Sequence, residues 1–216
     1  MDPANPVVRL CSEGMRAEAG GRPADARDLF QQAWETATDD YEACVAAHYL
    51  ARHQPAPEDT LHWNRECLAR ADRVGDERVR GFYTSLHLNL ATAYRDLDRI
   101  DEARAHFERA AACLDDVPAG QYGDWNRFAI AEGLRSTGGP ARRPADDLLA
   151  DLLSRLCARR DLKALGLILP AYLSDLGTDD DRVRLATALH MVHAARWLPE
   201  EDQTALGRAI TVLNPA

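Results

Sequence analysis

Residues Thr84 to Val117, TSLHLNLATAYRDLDRIDEARAHFERAAACLDDV, decide the fold. Leu86, Leu90, Ala93 and Leu97 recur at helical spacing in the first half, and Ile100, Ala103, Phe107, Ala110 and Leu114 in the second. The periodicity predicts two amphipathic helices folded back on each other. Between them Asp98 is expected to cap the second helix, and Asp101 and Glu102 to place negative charge at its electropositive start. Counted from Thr84 as place 1, small residues stand at places 8, 20 and 27 (Ala91, Ala103, Ala110) and aromatics at places 11 and 24 (Tyr94, Phe107). The small residues let two helix backbones approach, and the aromatics fill the space beside them.

The same spacing recurs upstream. Gly14, Ala26, Phe30 and Ala33 lie 77 positions before Ala91, Ala103, Phe107 and Ala110, with Ala17 standing where Tyr94 does. Gly20-Gly21 is expected to end the first helix, since glycine accepts the left-handed conformation there, and Pro23 to open the second. A middle unit begins at Tyr41, 34 residues after Val7. It is irregular: His48 takes the small place 8 and Asn64 the aromatic place 24, while Thr60 and Cys67 keep the other small places. Trp63, next to Asn64, is expected to supply the missing bulk. The third unit starts 43 residues after Tyr41, and the surplus falls in DRVGDERVRGFY (72–83), read as a longer second helix and an early start of the next.

This arrangement resembles the tetratricopeptide repeat, TPR, a helix–turn–helix unit of about 34 residues. The resemblance extends to small bacterial TPR-only proteins. It implies an all-α fold: a right-handed solenoid of helical hairpins over 7–136, made of three repeats and a capping helix, with a helical C-terminal extension. In the cap, QYGDWNRFAIAEGLRS (121–136), Tyr122, Trp125 and Ala129 are expected to cover the exposed end of the stack. A glycine- and proline-rich linker occupies 137–144. Residues 145–214 carry four helical patterns, read as degenerate repeats or a small bundle, with continuation of the solenoid preferred. Among them Pro170 is expected to kink its helix, Thr178 to Asp181 to start one, and Pro199 to open the last.

Composition bounds the function. A net charge of −9 argues against a nucleic-acid or anionic-membrane surface. No apolar run reaches the roughly 18 residues of a membrane span, and MDPANPVVRL lacks the pattern of a signal peptide. Five scattered cysteines without a CxxC fit reduced, cytoplasmic thiols rather than a disulfide framework or zinc site. Lys163 is the only lysine among 26 basic residues, and with the abundant alanine this suggests a GC-rich bacterial genome.

No Walker loop, GxGxxG or GxSxG is present. Cys44 and His48, four apart on one helix, could begin a nucleophilic site, but no orienting acid is identifiable and place 4 is a packing position. His190 and His193 lie one turn apart without further ligand spacing, and Asp96, Asp98 and Asp101 lack the glycine and glutamate of a calcium loop. No catalytic residue, metal or cofactor is implied.

The resemblance assigns first-helix places 2, 5, 6, 9, 12 and 13 to a concave groove. Here these give Glu42, Val45, Tyr49, Arg52 and His53, then Ser85, Leu88, Asn89, Thr92, Arg95 and Asp96. The places that grip a C-terminal carboxylate in some TPRs hold Val8, Ser12, Glu42, Ala46 and Ser85, with no cation among them. Because the repeat rules break at His48 and Asn64, the expected binding site is Tyr49, Arg52, His53, Trp63, Asn64, Tyr83 and Asn89, sharing one polar-aromatic recess. The leading function is an adaptor that holds a peptide or protein partner in its groove. The alternatives are a small-molecule pocket or unrecognised enzyme at the same junction, and a structural module that forms a homo-oligomer through an uncapped end.

Overall fold

The computed structural model describes residues 4–139 and 144–213; the described residues form helices and turns, with no strand among them. By internal contacts the chain divides into Met1–Asn126 and Arg127–Ala216. No helix among the described residues is long and apolar enough to cross a membrane.

The first unit is a series of helical hairpins. α1 (Pro6–Ala19) pairs with α2 (Pro23–Thr36), α3 (Asp40–Ala51) with α4 (Pro57–Val74), and α6 (Tyr83–Asp96) with α7 (Ile100–Ala112). Successive hairpins meet where α2 packs on α3 and α4 on α6. The 72–83 surplus is a longer α4, a turn at Gly75 (φ +59°) and a separate short helix, α5 (Glu77–Arg80), rather than an early start of α6. A short 3₁₀ turn (Leu114–Asp116) leads to α8 (Gln121–Ser136).

The repeat places pack as expected. Ala26, Ala33, Ala91, Ala103 and Ala110 are fully buried, as are Phe30 and Phe107. Two connectors use one chemistry. After α1, the N–H of Gly21 donates to the Glu18 carbonyl and that of Arg22 to the Ala17 carbonyl, with Gly21 left-handed (φ +71°). After α6, the N–H of Asp98 donates to Arg95 and that of Arg99 to Tyr94. Asp98 therefore does not cap α7. It holds the left-handed position (φ +57°) that closes α6, a role aspartate tolerates because of its short polar side chain. Elsewhere the caps are ordinary: Asp39 accepts the Glu42 N–H at 2.8 Å, and α2 and α4 open on proline.

On α8 the buried positions are Asn126, Ile130, Ala131 and Gly133, while Tyr122 and Trp125 are more than half exposed. The aromatic pair expected to cover the end of the stack is thus largely exposed.

The second unit holds the latter part of α8 and α9 (Pro144–Ala158), α10 (Leu162–Leu173), α11 (Asp179–Ala195) and α12 (Glu200–Leu213). α9 packs on α10, α10 on α11, α11 on α12, and α12 returns onto α9. Leu149, Leu152, Leu156, Ile168, Leu185, Leu189 and Leu206 fill the centre. The four helices α9 to α12 thus close on one another around that centre. α10 runs through Pro170 for three more residues, and Thr178 with Asp181 forms the capping box of α11. Asp181 is buried yet ionised. Burial pushes its carboxyl up, but hydrogen bonds from Thr178, Arg127 and the Leu176 N–H outweigh this and hold it below the usual range. Asp202, equally buried, accepts from Arg155 at 2.6 Å and from Arg159. The division at Asn126 falls within α8, ahead of the expected 137–144 linker, of which residues 140–143 lie outside the described residues.

Candidate functional site

A recess of about 200 Å³ opens in the first unit between α3 and the start of α6. α3 contributes Cys44, Val45, His48 and Tyr49, which border one side because Cys44 and His48, and Val45 and Tyr49, each lie one turn apart. Phe82, Ser85 and Leu86 form the opposite wall, and Tyr122 of α8 closes one side. The wall is apolar and aromatic with no carboxylate, lysine or arginine in it.

His48 is the polar group that matters most. Burial, then the nearby Arg52 charge, push its pKa down to about 4, so the ring is neutral at neutral pH. It sits edge-on to Tyr49 at 5.2 Å, and the Asn89 amide lies 3.5 Å from its Nδ1. With Nδ1 accepting from that amide, the ring proton is on Nε2. The sulfur beside it has a different partner: Cys44 Sγ lies 3.7 Å from Cys67 Sγ. The constellation of a thiol activated by an adjacent imidazole is therefore not the one formed.

No family model, curated protein or solved structure matches this chain. Its function must be read from its own geometry.

The seven expected site residues fall into several neighbourhoods. Tyr49 lines the recess, and Asn89 touches it through His48. Arg52 and His53 turn instead to Glu18 of α1; Arg52 is ion-paired with it, and His53 Nε2 lies 3.6 Å from the same carboxylate. The Arg52 guanidinium also lies 6.0 Å from the Tyr49 ring, so Tyr49 links this group to the recess. Trp63 packs edge-on against Trp34 at 5.0 Å, between the second helices of two hairpins, and Asn64 is buried near it in sequence but outside the recess wall. Tyr83 donates to Asp72 at 3.0 Å, and burial together with that carboxylate raises its phenol to about 12. These seven do not line one recess.

The break in the repeat pattern changes which place carries the bulk. In the first hairpin Phe30 lies directly over Gly14, so close that a methyl there would meet the ring at 2.4 Å. In the middle hairpin the bulk moves from place 24 to place 8: asparagine replaces the phenylalanine and histidine the glycine. The exchange puts an imidazole in the recess wall. The sequence pointed to the same hairpin through its irregular places. Phe82, Leu86 and Tyr122 were not among the expected site residues.

A second histidine cluster lies between α6 and α7. His87 and His106 approach through their Nδ1 atoms at 3.1 Å, so one ring donates and the other accepts. Tyr94 stacks on His106 at 5.3 Å. Burial, then the charges of His87, Arg109 and Arg65, push His106 to about 4; burial and Arg109 lower His87. The pair sits at the interface within the hairpin, where it satisfies itself.

Proposed function

We propose that the first unit is a TPR-type adaptor whose recess takes one apolar or aromatic side chain of a peptide or protein partner. The observation that carries this reading is the position and size of the recess. It lies among first helices, the face that binds in TPR proteins, and Val45, Tyr49 and Ser85 in its wall are groove places of the repeat. Its volume of about 200 Å³ is below the roughly 300–1,000 Å³ of sites that enclose a drug-sized ligand. A single anchoring side chain fits that space better than a whole cofactor, which favours the adaptor over the small-molecule alternative. The uncharged wall selects an apolar anchor, and the neutral His48 with the tyrosine hydroxyls can accept or donate to the backbone flanking it. On this reading the three hairpins form a right-handed stack.

Selection from a displayed peptide library tests it. Peptides enriched on the wild-type protein should share one large aliphatic or aromatic residue. Ser85→Trp, which fills the recess from its wall, should weaken them by about 1–3 kcal/mol, as loss of a buried anchor does, with the helical circular dichroism unchanged. Enriched peptides that bind the Ser85→Trp protein equally well would place the partner elsewhere.

A further inference from the structure

The middle hairpin brings two thiols into contact. Cys44 Sγ on α3 lies 3.7 Å from Cys67 Sγ on α4, and Cys67 Sγ lies 3.2 Å from the Cys44 carbonyl oxygen. They occupy places 4 and 27, where the first hairpin has Leu10 with Ala33 and the third His87 with Ala110. The packing position is thus general to the repeat, and the pair of sulfurs is particular to this hairpin. All five cysteines of the chain are free thiols.

The two thiols differ in position and in acidity. Both are buried, Cys44 1% and Cys67 0% exposed, but Cys44 borders the recess and Cys67 takes no part in its wall. The hydrogen bond from Cys67 holds the Cys44 thiol below its ordinary value against the opposing effect of burial. Cys67, bonded to Cys44 and buried, is held well above. A reagent as small as hydrogen peroxide, entering the recess, meets first the sulfur that ionises more readily.

We propose that Cys44 and Cys67 form a peroxide-responsive dithiol, Cys44 meeting the oxidant through the recess and Cys67 resolving it to a disulfide. In the first step the Cys44 thiolate attacks one oxygen of the hydroperoxide. An S–O bond forms as the O–O bond breaks, the sulfur is oxidised to a sulfenic acid, and the second oxygen leaves as hydroxide. That hydroxide takes the Cys67 proton and becomes water. The Cys67 thiolate then attacks the Cys44 sulfur, the S–S bond forms, the S–O bond breaks, and the oxygen leaves as hydroxide, which takes up the proton released when Cys44 ionised and becomes a second water. Two thiols and one peroxide give one disulfide and two waters. The sulfurs must close from 3.7 Å to about 2.0 Å, a movement made by turning the two side chains. The product ties α3 to α4 in the wall of the recess, and the reaction does not depend on what the recess binds.

The test is brief exposure of the folded full-length protein to graded hydrogen peroxide, alkylation of remaining thiols during unfolding, and peptide mass mapping. Cys157, which is exposed, reports the oxidant dose. The expected result is a disulfide-linked peptide pair joining Cys44 and Cys67 at doses that oxidise Cys157. A Cys67→Ser protein, folded by circular dichroism, should instead carry a dimedone adduct on Cys44, because the sulfenic acid has lost its resolving thiol. Recovery of Cys44 and Cys67 both alkylated after Cys157 is fully oxidised would overturn the proposal. So would a folded Cys67→Ser protein whose Cys44 never takes dimedone.

Discussion

Replacing Gly14 by alanine isolates the contact on which the repeat packing rests. Gly14 faces α2 from the middle of α1, and a Cβ built there lies 2.4, 2.7 and 2.8 Å from three carbons of the Phe30 ring. Ordinary contact begins near 3.4 Å, so the ring must retreat by roughly an ångström. It has little room: Phe30 is fully buried, stacks on Tyr49 at 5.1 Å and lies 5.2 Å from His53. Overpacking of this kind costs about 1–3 kcal/mol, while alanine in place of a mid-helix glycine returns up to about 1 kcal/mol. The expected net loss is roughly 1–2 kcal/mol, a fall of about 2–8 °C in melting temperature for a chain of this size. Gly166 on α10 provides the control, because it is exposed and an added Cβ meets nothing within 4 Å. Gly166→Ala should gain up to about 1 kcal/mol from helix propensity alone. One chemical change thus has opposite signs at two helical positions, read by urea unfolding followed by far-ultraviolet circular dichroism. Stabilisation by Gly14→Ala would refute the reasoning, since it would mean that Phe30 does not cover that site.

Acid should destabilise the protein before its carboxylates titrate. His48, facing Arg52 and Asn89, and His106, facing His87, Arg109 and Arg65, are held near 4 against an unfolded value of about 6.5. The fold disfavours their charged forms, so this stability is complete above pH 6.5 and is lost as the unfolded chain takes up protons toward pH 4. At about 1.4 kcal/mol per pH unit each ring accounts for at most about 3.5 kcal/mol. The urea midpoint should drop between pH 7 and pH 5, His106→Gln should flatten that slope, and a midpoint constant over the interval would contradict the burial of both rings. In the second unit, Asp181→Ala removes the capping box and leaves the part-buried Arg127 without its carboxylate, a loss of about 3 kcal/mol. Asp179→Ala, on the same turn but at an exposed carboxylate, should be nearly silent.

The hairpins were legible because the residue sizes at places 8, 20, 24 and 27 state directly which helix faces touch; Phe30 and Phe107 are buried where the register puts them. The ends of helices were less so. Aspartate favours both an N-cap and a left-handed turn, and the local sequence at Asp98 does not say which of the two neighbouring helices it serves. The C-terminal leucine stripes define a face on each of α9 to α12 but not its partner, and the return of α12 onto α9 is a long-range choice. In the site, His48 and Tyr49 were reachable from the broken repeat. Trp63 was not a groove residue, because a second-helix aromatic faces the neighbouring second helix, here Trp34. Tyr122 was expected on a capping face, and nothing local in α8 marks it as a neighbour of α3.

Methyl-resolved NMR during titration with a selected peptide tests the central claim most directly. Val45 and Leu86 carry methyl groups in the recess wall, whereas Leu61 and Leu68 on α4 lie outside it. The proposed function predicts saturable shifts at Val45 and Leu86, little change at Leu61 and Leu68, and loss of all of them in the Ser85→Trp protein. Saturable shifts confined to the α4 methyls, or shifts at Val45 and Leu86 that survive Ser85→Trp unchanged, would contradict it.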